Sequence, residues 1–177
     1  AAAPASESHS ASQHAQLRLF AGSPLHQLAP GAPVLLVLHW QLDADWHLYW
    51  QNPGDAGLAP TVDWQLPPGL RAELVGWPVP QPVVQPGEVR ANLYEQELVL
   101  LYQLRAAEDW QAPADGWQLR AAVNWLECAD VCLPGSAVLS LPLTATTPTD
   151  AAAVIARGRA GLPQPITESP WQLQRAG

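Results

Sequence analysis

Two cysteines, Cys128 and Cys132, are the only sulfur-bearing side chains of a 177-residue chain that contains no methionine. They sit in the stretch Trp125-Leu126-Glu127-Cys128-Ala129-Asp130-Val131-Cys132-Leu133-Pro134-Gly135. Extended backbone would hold their α-carbons about 13 Å apart at about 3.3 Å per residue, whereas a disulfide needs about 4.4–6.8 Å. The pair can close only if Ala129-Asp130-Val131 folds into a turn, and Asp130 with the nearby Pro134-Gly135 suits one. In the chain-entropy model so small a loop stabilises by about 2 kcal/mol, against about 4.7 kcal/mol for a loop of a hundred residues. Stability is therefore a weak reason for this bond. Small labile disulfides are the ones that exchange, so thiol–disulfide exchange is the leading chemistry and a structural disulfide is the alternative.

Metal binding is the other chemistry open to two thiolates. His39 and His47 could complete a tetrahedral zinc set, but they lie far upstream with no second cysteine pair, so the spacing does not support it. Soft copper sites favour Cys and Met together, and Met is absent. His9 and His14 lie in a stretch without further ligands and read as solvated.

The elements that must position the pair are short strands. Gln16 to Ala21, Val34 to Leu42, His47 to Gln51, Thr61 to Leu66, Arg71 to Gly76, Leu98 to Ala106, Gln118 to Cys128 and Ala137 to Leu143 have strand composition. Breakers separate them, notably Ala29-Pro30-Gly31, Asn52-Pro53-Gly54-Asp55, Pro67-Pro68-Gly69 and Pro86-Gly87. Nineteen prolines leave little room for helix. The pattern predicts an all-β antiparallel sandwich. One helix is expected over Asp150 to Leu162, capped by Thr149 or Asp150 and stopped at Gly161-Pro163. Residues 1–14 read as a disordered tail, 15–145 as the sandwich, and 146–177 as a short helix and a Pro-rich connector toward a further domain.

Sixteen acidic residues face eight arginines, a net charge of −8. That charge repels phosphate backbones and anionic lipid surfaces, so neither nucleic acid nor a membrane surface is an expected partner. No apolar run approaches the roughly 20 residues of a membrane helix. The start Ala1-Ala2-Ala3-Pro4-Ala5-Ser6 is of the kind left near a signal-peptidase cut, which points to export into an oxidising compartment. A dithiol there stays reduced only with an outside electron donor. Nine tryptophans read mainly as core. Trp46 and Trp50, next to Tyr49, are the candidates for exposed sugar-stacking rings, which would mark a carbohydrate-binding or adhesin-like sandwich with a structural disulfide.

The motif around the cysteines, together with Trp46-His47-Leu48-Tyr49-Trp50-Gln51-Asn52-Pro53-Gly54-Asp55-Ala56-Gly57-Leu58, closely resembles the amino-terminal periplasmic domain of DsbD-type transmembrane disulfide reductases, in particular the ScsB branch. The similarity extends through Val62-Asp63-Trp64, Gly76-Trp77-Pro78 and Tyr94 and spans roughly residues 15–145. Its cysteines are closer together than in the best-known DsbD members. The resemblance implies an immunoglobulin-like sandwich in the periplasm, anchored through the rest of a membrane protein. It implies a Cys128/Cys132 pair that takes electrons from a thioredoxin-like domain of the same protein and hands them to oxidised periplasmic thioredoxin-fold proteins, without a cofactor. Cys132 would carry the intermolecular bond and Cys128 would resolve it. Asp130 and Glu127 beside the pair disfavour a thiolate, so activation is expected to come from the partner. The family's cap over the disulfide corresponds here to the region between Trp77 and Glu95. No Phe occurs there, which leaves Leu93, Tyr94 or Val89 to cap the site or leaves it open, with Asp130 and Pro134 on the partner surface.

Overall fold

Alternation of apolar side chains along Gln118–Cys128 makes one face of that strand a core face, and the rest of the chain folds against it. A computed structural model describes residues 7–165. It contains eleven strands and one α-helix: β1 (Glu7–Ala11), β2 (Ala15–Ala21), β3 (Val34–Leu42), β4 (His47–Gly54), β5 (Thr61–Gln65), β6 (Leu70–Gly76), β7 (Gln81–Gln85), β8 (Val89–Glu95), β9 (Glu97–Ala106), β10 (Gln118–Cys128), β11 (Cys132–Pro142) and α1 (Ala151–Ala160). One sheet has the order β1-β2-β3-β9-β6; the other runs β11-β10-β4-β8-β7, with β5 also paired to β10. All pairings are antiparallel, and the two sheets form an immunoglobulin-like sandwich.

The interior is built from the alternating faces of both layers. Leu17, Leu19, Leu36, Leu38, Trp40, Leu100 and Leu104 of the first sheet meet Leu48, Leu119, Ala121, Val123, Trp125, Leu139 and Leu141 of the second. Trp40 and Trp125 pack edge to face at 6.3 Å, a geometry that suits the ring quadrupoles. β3 and β9 are apolar on both faces because α1 covers the outside of their sheet: Phe20, Val37, Val99 and Leu101 are buried under Ala151 and Val154. Gly158 is required there, since a Cβ on it would lie 2.7 Å from Val99 Cγ1. Among the described residues no helix is long and apolar enough to cross a membrane.

Charge fixes the helix as well. Asp150 stands at the N-cap position, but its carboxylate makes no cap hydrogen bond and instead accepts two from the Arg18 guanidinium, at 2.6 and 3.2 Å. Arg18 also donates to His39 Nδ1, whose other nitrogen lies 2.8 Å from Glu97, and Arg157 closes the chain of contacts on Glu97.

Three expectations are corrected. The tail expected over 1–14 is structured from Glu7, where β1 pairs with β2 residue for residue; its polar sequence carries no periodicity, and backbone pairing rather than burial makes it a strand. Residues 1–6 and the connector beyond residue 165 lie outside the described residues. His14 is not merely solvated: its ring stacks on Trp46 at 3.8 Å and bonds Asp43. The unpredicted β7–β8 hairpin turns at Pro86-Gly87-Glu88, where Gly87 and Glu88 adopt positive φ.

Candidate functional site

β10 and β11 form a hairpin in register from Gln118↔Pro142 to Cys128↔Cys132, so the two cysteines are the last directly opposed pair before the turn. Their α-carbons are 4.1 Å apart and the sulfurs are bonded. This is the turn that the sequence required over Ala129-Asp130-Val131, closed by the Ala129 amide donating to the Val131 carbonyl at 2.9 Å. β11 begins at Cys132 rather than at Ala137, where the sequence placed the start of the strand, so Leu133-Pro134-Gly135 lies within it, and backbone pairing to Trp125-Leu126-Glu127 accounts for that. Gly135 is needed at its position because a Cβ there would fall 2.2 Å from the opposed Trp125 ring.

The two sulfurs have different surroundings. Cys128 is 1% exposed and packs with Tyr49, Ala91 and Leu93, flanked by Val83 and Leu126. Cys132 is exposed, as are Asp130 and Val131 at the tip and Pro134 beyond. An incoming thiolate must approach one sulfur along the S–S axis, and here only Cys132 is open to it. Beside the disulfide, on the strand face shared by Leu126 and Pro134, runs a groove of about 490 Å³ whose further walls include Leu58, Ala59, Thr61 and Ser136. No charged residue lines it.

Leu93 therefore lies in the layer that seals Cys128, as does Val83 from β7, which the sequence reading did not single out. Tyr94, one residue on, points to the other side of β8: it belongs to the main core and its hydroxyl donates to the Pro78 carbonyl at 2.7 Å. Burial pushes its phenol well above the ordinary range. Strand alternation separates these neighbours, and Val89 is not part of the layer around Cys128.

The same alternation corrects the expected electrostatics. Glu127 is buried and points to the opposite face of β10 from Cys128. Its carboxylate accepts hydrogen bonds from the Trp125 indole at 3.0 Å, the His14 amide at 3.2 Å and the Ser12 hydroxyl. It anchors the β1–β2 turn to the back of the active strand rather than facing the sulfurs. Asp130 is the carboxylate at the tip.

The only chemical role that the sequence suggests for His47 is that of a metal ligand. His47 is the register partner of Cys128 across β10 and β4, is buried, and has Nε2 3.2 Å from the Tyr49 hydroxyl. Burial lowers its pKa, with Glu95, its partner on β8, pulling the other way. Burial also raises the Tyr49 phenol. No residue spacing could reveal this neighbour, because register joins positions eighty-one residues apart in the chain. Trp46 and Trp50 are not open platforms: both are half-buried, one under His14 and the other against the core.

The two sulfur atoms lie at a hairpin tip, one sealed and one open, rather than stapled across the core between the two sheets. The chain belongs to the family described as Thiol:disulfide interchange protein DsbD, N-terminal, whose model matches residues 20–144. It is thus a thiol–disulfide exchange domain. Among solved structures, the N-terminal periplasmic domain of ScsB from Proteus mirabilis superposes with a TM-score of 0.64 at 25% identity, over 86% of this chain and 56% of that one. The chain thus spans a little over half the length of that relative. The GAE domain of GGA2p from Saccharomyces cerevisiae gives 0.44 at 9% identity, over 77% of this chain and 97% of that one. The reduced N-terminal domain of DsbD from Neisseria meningitidis gives 0.39 at 10%, over 63% and 77%. No curated protein sequence matches the chain significantly.

Proposed function

We propose that this domain works in the reducing direction in the periplasm, taking electrons from a thioredoxin-like domain of the same membrane protein and passing them through Cys128 and Cys132 to oxidised thioredoxin-fold proteins. The observation that carries the reading is the asymmetry of the disulfide: Cys128 is 1% exposed and Cys132 is open to solvent. In the reduced domain Cys132 attacks the acceptor's disulfide and becomes joined to it, and the acceptor's other sulfur leaves as a thiolate. Cys128 then attacks Cys132, the domain's own disulfide closes, and the acceptor departs with two electrons gained. Leu93 caps the sealed sulfur, while Asp130 and Pro134 border the face the acceptor meets. Tyr94 acts through the core beneath, holding β8 in place. The uncharged groove beside Pro134 supports protein rather than small-ion partners.

The reduction potential tests this. Structural disulfides typically lie below about −300 mV, and this bond should titrate above that value and be reduced by a thioredoxin-type donor. A potential well below it, with no reduction by such a donor, would leave the bond as a staple. The carbohydrate-binding alternative loses its main support because Trp46 and Trp50 are half-buried, one stacked against His14 and the other packed on the core.

A further inference from the structure

Resolution of the mixed disulfide requires a thiolate at Cys128, and the site makes that difficult. Cys128 is 1% exposed and surrounded by Tyr49, Ala91 and Leu93; a thiol in apolar surroundings does not ionise readily. At that exposure Cys128 has little direct contact with water to take its proton. Glu127, the nearest carboxylate in sequence, faces the other side of the strand and is already held by three donors. Asp130 is exposed at the hairpin tip. The group directly across the ladder from Cys128 is His47, and directly opposed residues share a sheet face with β-carbons about 4.5–5.5 Å apart.

We propose that His47 accepts the proton of the Cys128 thiol as Cys128 resolves the mixed disulfide on Cys132, a role that rests on the exchange reading above. The Tyr49 hydroxyl, 3.2 Å from Nε2, orients the ring. With hydrogen on Nε2 donated to the Tyr49 oxygen, Nδ1 is the free acceptor. As Cys128 Sγ gives its proton to the imidazole, it bonds to Cys132 Sγ; the bond from Cys132 to the partner's sulfur breaks, and that sulfur leaves with the electron pair as a thiolate. The imidazolium then returns its proton to the departing thiolate or to solvent. His47 is suited to this because burial keeps it neutral in the resting protein. The charged or titratable groups facing it are Glu95 on β8, which would stabilise the transient imidazolium, Tyr49 on its own strand and Cys128 on β10.

The test uses the fully reduced chain and a chromogenic aromatic disulfide of the dithiobis-nitrobenzoate type. Attack by Cys132 releases one coloured thiolate and resolution by Cys128 releases the second, so two phases report the two sulfurs. In the parent protein the second phase should be level from neutral pH upward, hold through the ordinary imidazole range near about pH 6.5, and fall only on the acid side of it, because burial lowers the His47 pKa. His47→Gln should leave the first phase unchanged and slow the second about a hundredfold at neutral pH, the low end for a positioned proton acceptor. Its second phase should instead climb about tenfold per pH unit as the thiolate forms unaided. Tyr49→Phe, which keeps the ring packing, should give a smaller slowing with the parent's pH profile, and it serves if His47→Gln does not fold. Second phases in both variants with the parent's rate and pH profile would overturn the role of His47. Absence of any second phase from the parent would overturn the exchange reading itself.

Discussion

Cys128 and Cys132 are chemically identical and are made different by two strands. Cys128 is sealed beneath Tyr49 and Leu93, and Cys132 lies open at the start of β11. Exchange depends on access to the attacked sulfur. With Cys128→Ser, the remaining Cys132 should trap a stable mixed disulfide with an oxidised thioredoxin-like partner, visible on non-reducing electrophoresis. With Cys132→Ser little should be trapped, and efficient trapping by that variant alone would reverse the two roles.

At the scale of elements, the β10–β11 hairpin holds the pair in register along eleven strand positions, so the disulfide adds little to a turn already fixed by pairing. Reducing it should lower the unfolding free energy by no more than about 2 kcal/mol, from the entropy of a five-residue loop; denaturant titration of the two redox states measures this. More depends on what braces the hairpin from behind. The Glu127 carboxylate accepts from Trp125, His14 and Ser12, and it ties the β1–β2 turn to β10. Glu127→Ala strands the buried indole N–H and should destabilise by about 1–3 kcal/mol. Faster amide exchange at Ser12–His14 should accompany the loss, and unchanged protection there would show that the turn is held by backbone pairing alone.

Across the whole molecule, Gln96, with φ 66°, carries the chain between sheets in a single residue, so Glu95 meets His47 in one layer and Glu97 meets His39 in the other. Both histidines have lowered pKa values, chiefly from burial. The sign follows directly: below about pH 6.5 the unfolded chain binds protons that the folded imidazoles refuse, so their contribution is present above that pH and is lost as pH falls. Glu97 and Asp150 are also lowered; Arg157 and His39 hold Glu97 down against its burial, and Arg18 holds Asp150. Their contribution disappears at still lower pH, through the carboxylate range. Stability should therefore decline monotonically on acidification from pH 7, first with a histidine step and then with a carboxylate step. Thermal melts across that range read it, and His39→Gln should blunt the first step.

Val34–Leu42 and Gln118–Cys128 were legible in the sequence to the residue, because apolar side chains that must reach a core print their period on the chain, and the breakers between strands are local too. The cysteine pair and its turn were legible for the same reason: a bond across five residues is decided by covalent reach. β1 was not, since Glu7-Ser8-His9-Ser10-Ala11 gains its strand from a partner's backbone and from Ser8 meeting Ser140 at the sheet edge. Neither was β7–β8, although Val89, Ala91 and Leu93 alternate, because Pro86-Gly87 read as a break rather than as the turn of a hairpin. What only the tertiary structure decided is facing: that Leu93 and not Tyr94 lies against Cys128, that Glu127 turns its back on the sulfurs, and that His47 stands opposite the sealed one. Each depends on which strands become neighbours and in what register, and a shift of one residue would send every one of those side chains to the other side of the sheet.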